Sequence, residues 1–149
     1  STDQWSFVTK YPSGGRSAMI AFVVDNKVYV GSGNSAPFGG APSAEFWEYN
    51  PSTNTWIRKT DIPTARTDAT AFVIGNKGYV VAGSGNSGNL LNDLWQYNTQ
   101  TNTWTRKANL LGGKPRTEMV GFNIGNRGYI ATGQTTDSTT TKILHRYMP

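Results

Sequence analysis

The sequence contains no cysteine. Disulfides, thiolate metal sites and cysteine nucleophiles are therefore excluded, and the redox compartment stays open. Histidine is almost as scarce: His145 stands alone, so one chain offers no second soft ligand for a transition metal, and neither a metal nor any other cofactor is expected. Charged residues reach only 15%. No apolar run of about 18 residues is present, which removes a helical membrane span and a membrane partner. No Asn-x-Ser/Thr sequon marks the chain for glycans. Nor is there a Walker loop, an HExxH, an EF-hand or a Ser-His-Asp order. The chain opens at Ser1 with no signal-peptide pattern, which fits an upstream segment already removed. Location is thus unknown, with a secreted or periplasmic one slightly favoured. The net charge of +5 comes from 14 basic and 9 acidic residues. The basic residues are spread along the chain rather than gathered into a block, which argues against nucleic acid.

What the chain does have is glycine, aromatics at 12%, and a repeat. Arg16 opens RSAMIAFVVDNKVYVGSG, Arg66 opens RTDATAFVIGNKGYVVAGSG and Arg116 opens RTEMVGFNIGNRGYIATG. Phe22, Phe72 and Phe122 keep the same beat, as do Tyr29, Tyr79 and Tyr129. A period of roughly 50 residues indicates stacked supersecondary units. Within each unit an apolar strand meets Asp25-Asn26, Gly75-Asn76 or Gly125-Asn126, residues that accept the positive φ of a tight hairpin turn. A second strand, a variable loop (32–44, 84–92, 134–142) and a third strand follow: EFWEYN, DLWQYN or ILHRYM. A short turn then leads to a fourth strand, WIRK or WTRK. The third strand is apolar on both faces, as a sheet packed between two similar sheets requires, whereas a half-exposed sheet would alternate. The expected fold is all-β, with the units as blades of a β-propeller.

The spacing Gly33/Tyr49/Trp56, repeated at Gly83/Tyr97/Trp104 and truncated at Gly133/Tyr147, resembles the kelch repeat, and the run NKGYV…NDLWQY…TNTW is similar to bacterial kelch proteins. The family's double glycine is degenerate here. The resemblance spans Trp5 to Tyr147 and implies a kelch-type propeller with blades at 16–59, 66–107 and 116–147, the last without its outer strand. Residues 5–10 read as a surplus outer strand, because Trp5 corresponds to Trp56 and Trp104. Propellers close with about four to eight blades. Three blades point to a homodimer closed by strand exchange into a six-bladed ring, with Trp5, Phe7 and Tyr147 at the closure; a fragment of a larger or engineered propeller is the alternative.

Arg16, Arg66 and Arg116 open the innermost strands, so a closed dimer would carry six guanidinium groups at one channel mouth. The kelch adaptors that present substrates to ubiquitin ligases grip acidic side chains with arginines at this position, and the resemblance implies the same capacity for a glycan or acidic peptide. Asp68 and Glu118 lie two residues beyond Arg66 and Arg116 as part of the same candidate site and as possible ion-pair partners; Ala18 stands in the first copy. Trp5, Trp47, Trp56, Trp95 and Trp104 recur at fixed strand positions and are expected in the core between blades. The kelch-fold copper oxidase needs a Cys-modified Tyr and two His ligands, absent here. A kelch-fold sialic acid mutarotase keeps a second reading open, a sugar-processing enzyme acting in the channel. The expected function is a non-catalytic binding and assembly module.

Overall fold

Each of the two full repeats folds into a four-stranded antiparallel meander. The computed structural model describes residues 3–35, 40–110, 112 and 114–149; part of the predicted loop 32–44 lies outside them. The first sheet runs β1 (Ile20–Val24), β2 (Lys27–Gly31), β3 (Phe46–Asn50) and β4 (Thr55–Arg58), hydrogen-bonded in that order. The second runs β5 (Thr70–Ile74), β6 (Lys77–Ser84), β7 (Leu90–Asn98) and β8 (Thr103–Lys107). After the short β9 (Arg116–Thr117) come β10 (Val120–Ile124), β11 (Arg127–Ala131), β12 (Gln134–Thr135) and β13 (Leu144–Tyr147). The third sheet is β10-β11-β13, while β9 pairs with β12. Among the described residues the third sheet thus holds three strands.

The hairpins turn where expected. Val24 pairs with Lys27, Ile74 with Lys77 and Ile124 with Arg127. Asp25 and Asn26 both take positive φ (50° and 59°), the geometry of a two-residue turn whose twist matches the strands. The degenerate double glycine has an equally local cause. Ser32, Ala82 and Thr132 sit at φ 52–63°, inside the small left-handed well that non-glycine residues can enter. Gly33, Gly83 and Gly133 follow at 83–101°, outside that well, so only the second glycine is kept.

The Tyr–Trp spacing also becomes physical. Tyr49 lies opposite Trp56 across β3 and β4, and Tyr97 opposite Trp104 across β7 and β8. Each tyrosine hydroxyl donates to the asparagine that makes the intervening turn: Tyr49 to Asn54 at 3.0 Å, Tyr97 to Asn102 at 2.7 Å.

The core lies between blades rather than within them. Ile20, Phe22, Phe46 and Ile62 from the first blade side meet Val80 and Tyr97 of the second. Phe72, Tyr79, Leu94 and Leu110 meet Met119, Ile130 and Tyr147 in the same way. Phe22 packs on Gly78, where an added Cβ would run into the ring, and Phe72 packs on Gly128 in the same way.

Residues 5–10 are in no sheet of this chain, and Trp5, Phe7 and Val8 are exposed; a strand needs a neighbouring edge to pair with. Two expectations need correction. The predicted loop 84–92 is partly regular: a 3-10 turn at Asn86–Gly88 is followed by β7, which begins at Leu90. The loop 134–142 likewise begins inside β12. The tryptophans divide: Trp104 packs in the seam between the first two blades, on Phe46 and Tyr97 at 5.1 and 4.8 Å between ring centroids, but Trp5 packs on nothing in its own chain.

Candidate functional site

The first strands β1, β5 and β10 of successive blades lie against one another, forming the inner edge of the arc. The chain enters each of them through the predicted arginine triplets. Ser17, Thr67 and β9 pair with Asn34, Ser84 and β12 of their own blades, and then the backbone kinks. Ala18, Asp68 and Glu118 occupy the left-handed region at φ 55°, 52° and 56°. The kink turns their peptides toward the next blade: the Asp68 N–H donates to the Ala18 carbonyl at 3.2 Å and the Glu118 N–H to the Asp68 carbonyl at 3.0 Å. Three copies of a strained, non-glycine position are therefore a cross-blade staple, repeated because each seam requires it.

The arginines do not form an exposed ring. Arg66 is completely buried. Its guanidinium meets Asp93 through two parallel bonds of 2.9 and 2.8 Å, its Nη1 also donates to the Ala82 carbonyl at 2.9 Å, and its Nε donates to the Thr64 carbonyl at 3.1 Å. Trp95 Nε1 donates to the same carboxylate at 2.6 Å. Burial pushes the Asp93 carboxyl up, but the Arg66 bonds and charge outweigh it and hold it below the usual carboxylate range. Arg16 is paired with Glu45 at 2.7 Å. The Glu45 carboxyl is held low chiefly by a hydrogen bond from Ser13, then by Arg16.

The acids that pair with the arginines are thus not Asp68 and Glu118. Glu45 stands just before the third strand of its blade and Asp93 within that of the next, 29 and 27 residues beyond the arginine, where the antiparallel return of the meander brings them to the guanidinium. Among the described residues Asp68 and Glu118 enter no ion pair; the Asp68 carboxylate accepts from the Thr67 hydroxyl at 3.1 Å. The signal that would have found the true partners was the acid preceding FWEY and LWQY.

The third copy breaks the pattern. Arg116 is 3% exposed, yet its Nε and Nη1 have no hydrogen-bond partner. The position of Glu45 and Asp93 is held by Ile143: the Thr132 N–H donates to the Ile143 carbonyl at 3.2 Å, as the Ser32 N–H does to Glu45 at 3.1 Å. His145 stands beside it with a buried, unpartnered Nε2, and its pKa is lowered by burial first and by Arg116 second. No group of three or more potential ligands capable of holding a metal occurs among the described residues.

Known proteins share the repeat and the fold. The family model of the KLHDC2/KLHL20/DRC7 Kelch-repeats domain matches residues 1–133. The N-acetylneuraminate epimerases of Haemophilus influenzae strains PittEE and 86-028NP are each 33% identical to this chain over 91 residues, covering 54% of it and 22% of their own length. The solved structure of YjhT superposes with a TM-score of 0.80 at 17% identity, over 98% of this chain and 56% of YjhT. The chain therefore spans about a fifth of these curated relatives and little more than half of the solved neighbour. At that identity the structural likeness shows the fold alone, a propeller of four-stranded antiparallel blades.

Proposed function

Because the chain belongs to the KLHDC2/KLHL20/DRC7 Kelch-repeats domain family, we propose that it is a binding and assembly module that closes its ring with a second copy of itself. In this reading residues 5–10 of each copy form the missing outer strand of the other's third blade. One observation supports it: the seam between the second and third blades holds an apolar cleft at the place that Trp104 fills in the preceding seam. In the preceding seam Trp104 lies on Phe46 and Tyr97 and donates to the Thr60 carbonyl at 2.9 Å. The equivalent residues of the next seam, Leu94, Tyr147 and Ala108, line an apolar cleft of about 290 Å³. Trp5 is fully exposed.

The alignment extends on either side. Asp3 falls where Asn102 accepts from Tyr97 and from the Thr60 N–H (2.7 and 2.9 Å), so its carboxylate suits the Tyr147 hydroxyl and the Ala108 N–H of the other copy. Tyr11 takes the place of the seam residues Ile62 and Leu110. It lies against Trp47 and Trp56 of its own first blade, at 6.5 and 5.5 Å, and so the N-terminal segment departs from the open face of that blade. At the other end of the arc, Val120, Phe122 and Ile124 are exposed, whereas Phe22 and Phe72 at the matching position are 6% and 3% exposed. Closure would cover both faces at two equivalent seams. Those seams would differ in detail, since Val28 stands where Gly78 and Gly128 receive a phenylalanine ring, and Phe122 would have to settle beside it rather than on it.

Light scattering on a sizing column tests this. The expected species has about twice the 16.2 kDa chain mass and is lost in Trp5→Ala; a stable monomer of the unaltered chain would refute closure. A second reading, processing of a sialic acid in the channel, draws on the name of the Haemophilus relatives. Incubation with N-acetylneuraminate followed by proton NMR separates the two: epimer exchange above the buffer rate supports an enzyme, and its absence leaves the binding module.

A further inference from the structure

We propose that His145 is a proton-operated latch on ring closure: neutral, it lets the N-terminal strand of a second copy seat on β13, and protonated, it sets a second cation beside Arg116 and opens the seam. The latch rests on the closure proposed above and adds its control. The repeats show what surrounds this position. In the second blade the Trp95 Nε1–H and an Arg66 Nη2–H converge on one oxygen of Asp93, at 2.6 and 2.8 Å. In the third blade His145 stands where Trp95 does, opposite the second strand, and Arg116 where Arg66 does, but the acid has become Ile143. Arg116 Nε and Nη1 and His145 Nε2 are all buried without a partner. A guanidinium only donates; a neutral imidazole keeps one nitrogen as an acceptor, whereas an imidazolium donates from both. Neutral His145 is therefore compatible with the buried cation. Protonated, it meets a like charge with no carboxylate between them.

The incoming strand sharpens the effect. Trp47 lies opposite Arg58 and Trp95 opposite Arg106. Each of these arginines donates to the residue three further on, Arg58 to Asp61 at 2.6 Å and Arg106 to Asn109 at 3.2 Å. With Trp5 in the register of Trp56 and Trp104, Phe7 takes the place of the arginines and Lys10 that of Asp61 and Asn109. In the closed ring the exposed Phe7 would lie across from His145 of the other copy and strip it of water, and Lys10 would bring one more cation. The cleft that His145 lines holds Arg146 and Tyr147 of its own strand as its other titratable groups; the packed elements contribute Leu94, Leu110 and Ile130, and no acid among the described residues lines it. Burial and Arg116 already lower the His145 pKa in the open chain, and covering the ring lowers it further, so the open chain binds the proton more readily than the closed ring does. Closure is therefore complete above the open-chain pKa and weakens as pH falls through it.

The test is the dimer dissociation constant, read by analytical ultracentrifugation at about pH 7.5 and about pH 5 in one salt concentration, with far-ultraviolet circular dichroism recorded at each. The constant is expected to rise about tenfold at the lower pH while the spectrum stays that of the folded chain. His145→Gln carries no proton to gain, and its constant is expected to stay within about twofold. Ile143→Asp returns the counter-charge and is expected to lose most of the change. A dimer of the unaltered chain that is indifferent to pH overturns the latch and leaves closure standing, and so does a His145→Gln dimer that weakens as much as the unaltered one. Full weakening in Ile143→Asp overturns the missing acid as the cause. A monomer at both pH values overturns closure and latch together.

Discussion

Replacing Asp93 by Asn removes one charge and almost no volume, and it isolates what the buried Arg66 pair contributes. In the native chain both guanidinium Nη groups donate to Asp93 and neither residue meets much water: Arg66 is fully buried and the Asp93 side chain is 11% exposed. The substituted amide would present an NH₂ to one Nη and leave an uncompensated cation in the blade. The cost expected for breaking a buried pair in this way is about 3–5 kcal/mol. For a chain of this size each kcal/mol moves the melting temperature by about 2–4 °C, so a fall of roughly 6–20 °C is expected. Asp61→Asn is the matched control. It makes the same change in net charge, and it breaks the Arg58–Asp61 pair, which at 2.6 Å is just as short but has both side chains more than 40% exposed; its effect should stay within about 1 kcal/mol. Thermal unfolding followed by circular dichroism reads both variants in one buffer. Equal shifts for the two, or a shift for Asp93→Asn below about 1 kcal/mol, would refute the view that burial, and not proximity, gives this pair its weight.

Two further outcomes follow from the seams and from His145. Gly78→Ala drives a methyl into the Phe22 ring and is expected to destabilise by about 1–3 kcal/mol, whereas Gly15→Ala, with nothing within 4 Å of the new methyl, should change the denaturation midpoint little. The His145 pKa is lowered in the fold by burial and by Arg116, so the unfolded chain binds a proton more readily. Stability is therefore expected to be full above the unfolded value of about 6.5 and to fall as pH drops below it toward the folded pKa. His145→Gln should flatten that part of the profile in urea titrations from about pH 5 to about pH 7.5.

How much of this was legible in the sequence depends on the range of the interaction. The hairpin turns, the order of strands and the three-blade arc are written in short patterns: Asp25-Asn26, the alternation through Phe22 and Tyr29, the seven-residue step from Tyr49 to Trp56. Each is decided by a few neighbouring residues and by the period of the chain. The ion pairs were not legible in that way. Asp68 and Glu118 looked like natural partners because they lie two residues from an arginine, but the left-handed kink at that position commits its backbone to the next blade. The guanidinium instead meets an acid that arrives from the third strand.

The comparison of repeats recovers what proximity in sequence obscures. With the meander's register in hand, Glu45, Asp93 and Ile143 become one structural position, and so do Asn102 and Asp3, or Ile62, Leu110 and Tyr11. Two of these sets are continuous in chemistry from copy to copy: the turn residue still offers an oxygen acceptor, and the seam residue is still apolar in body. The first is not, since an acid becomes an isoleucine while its arginine stays buried. The lone buried cation is the costlier state, and Arg116 stands with Lys114 and Lys142 in a cleft that no acid among the described residues lines.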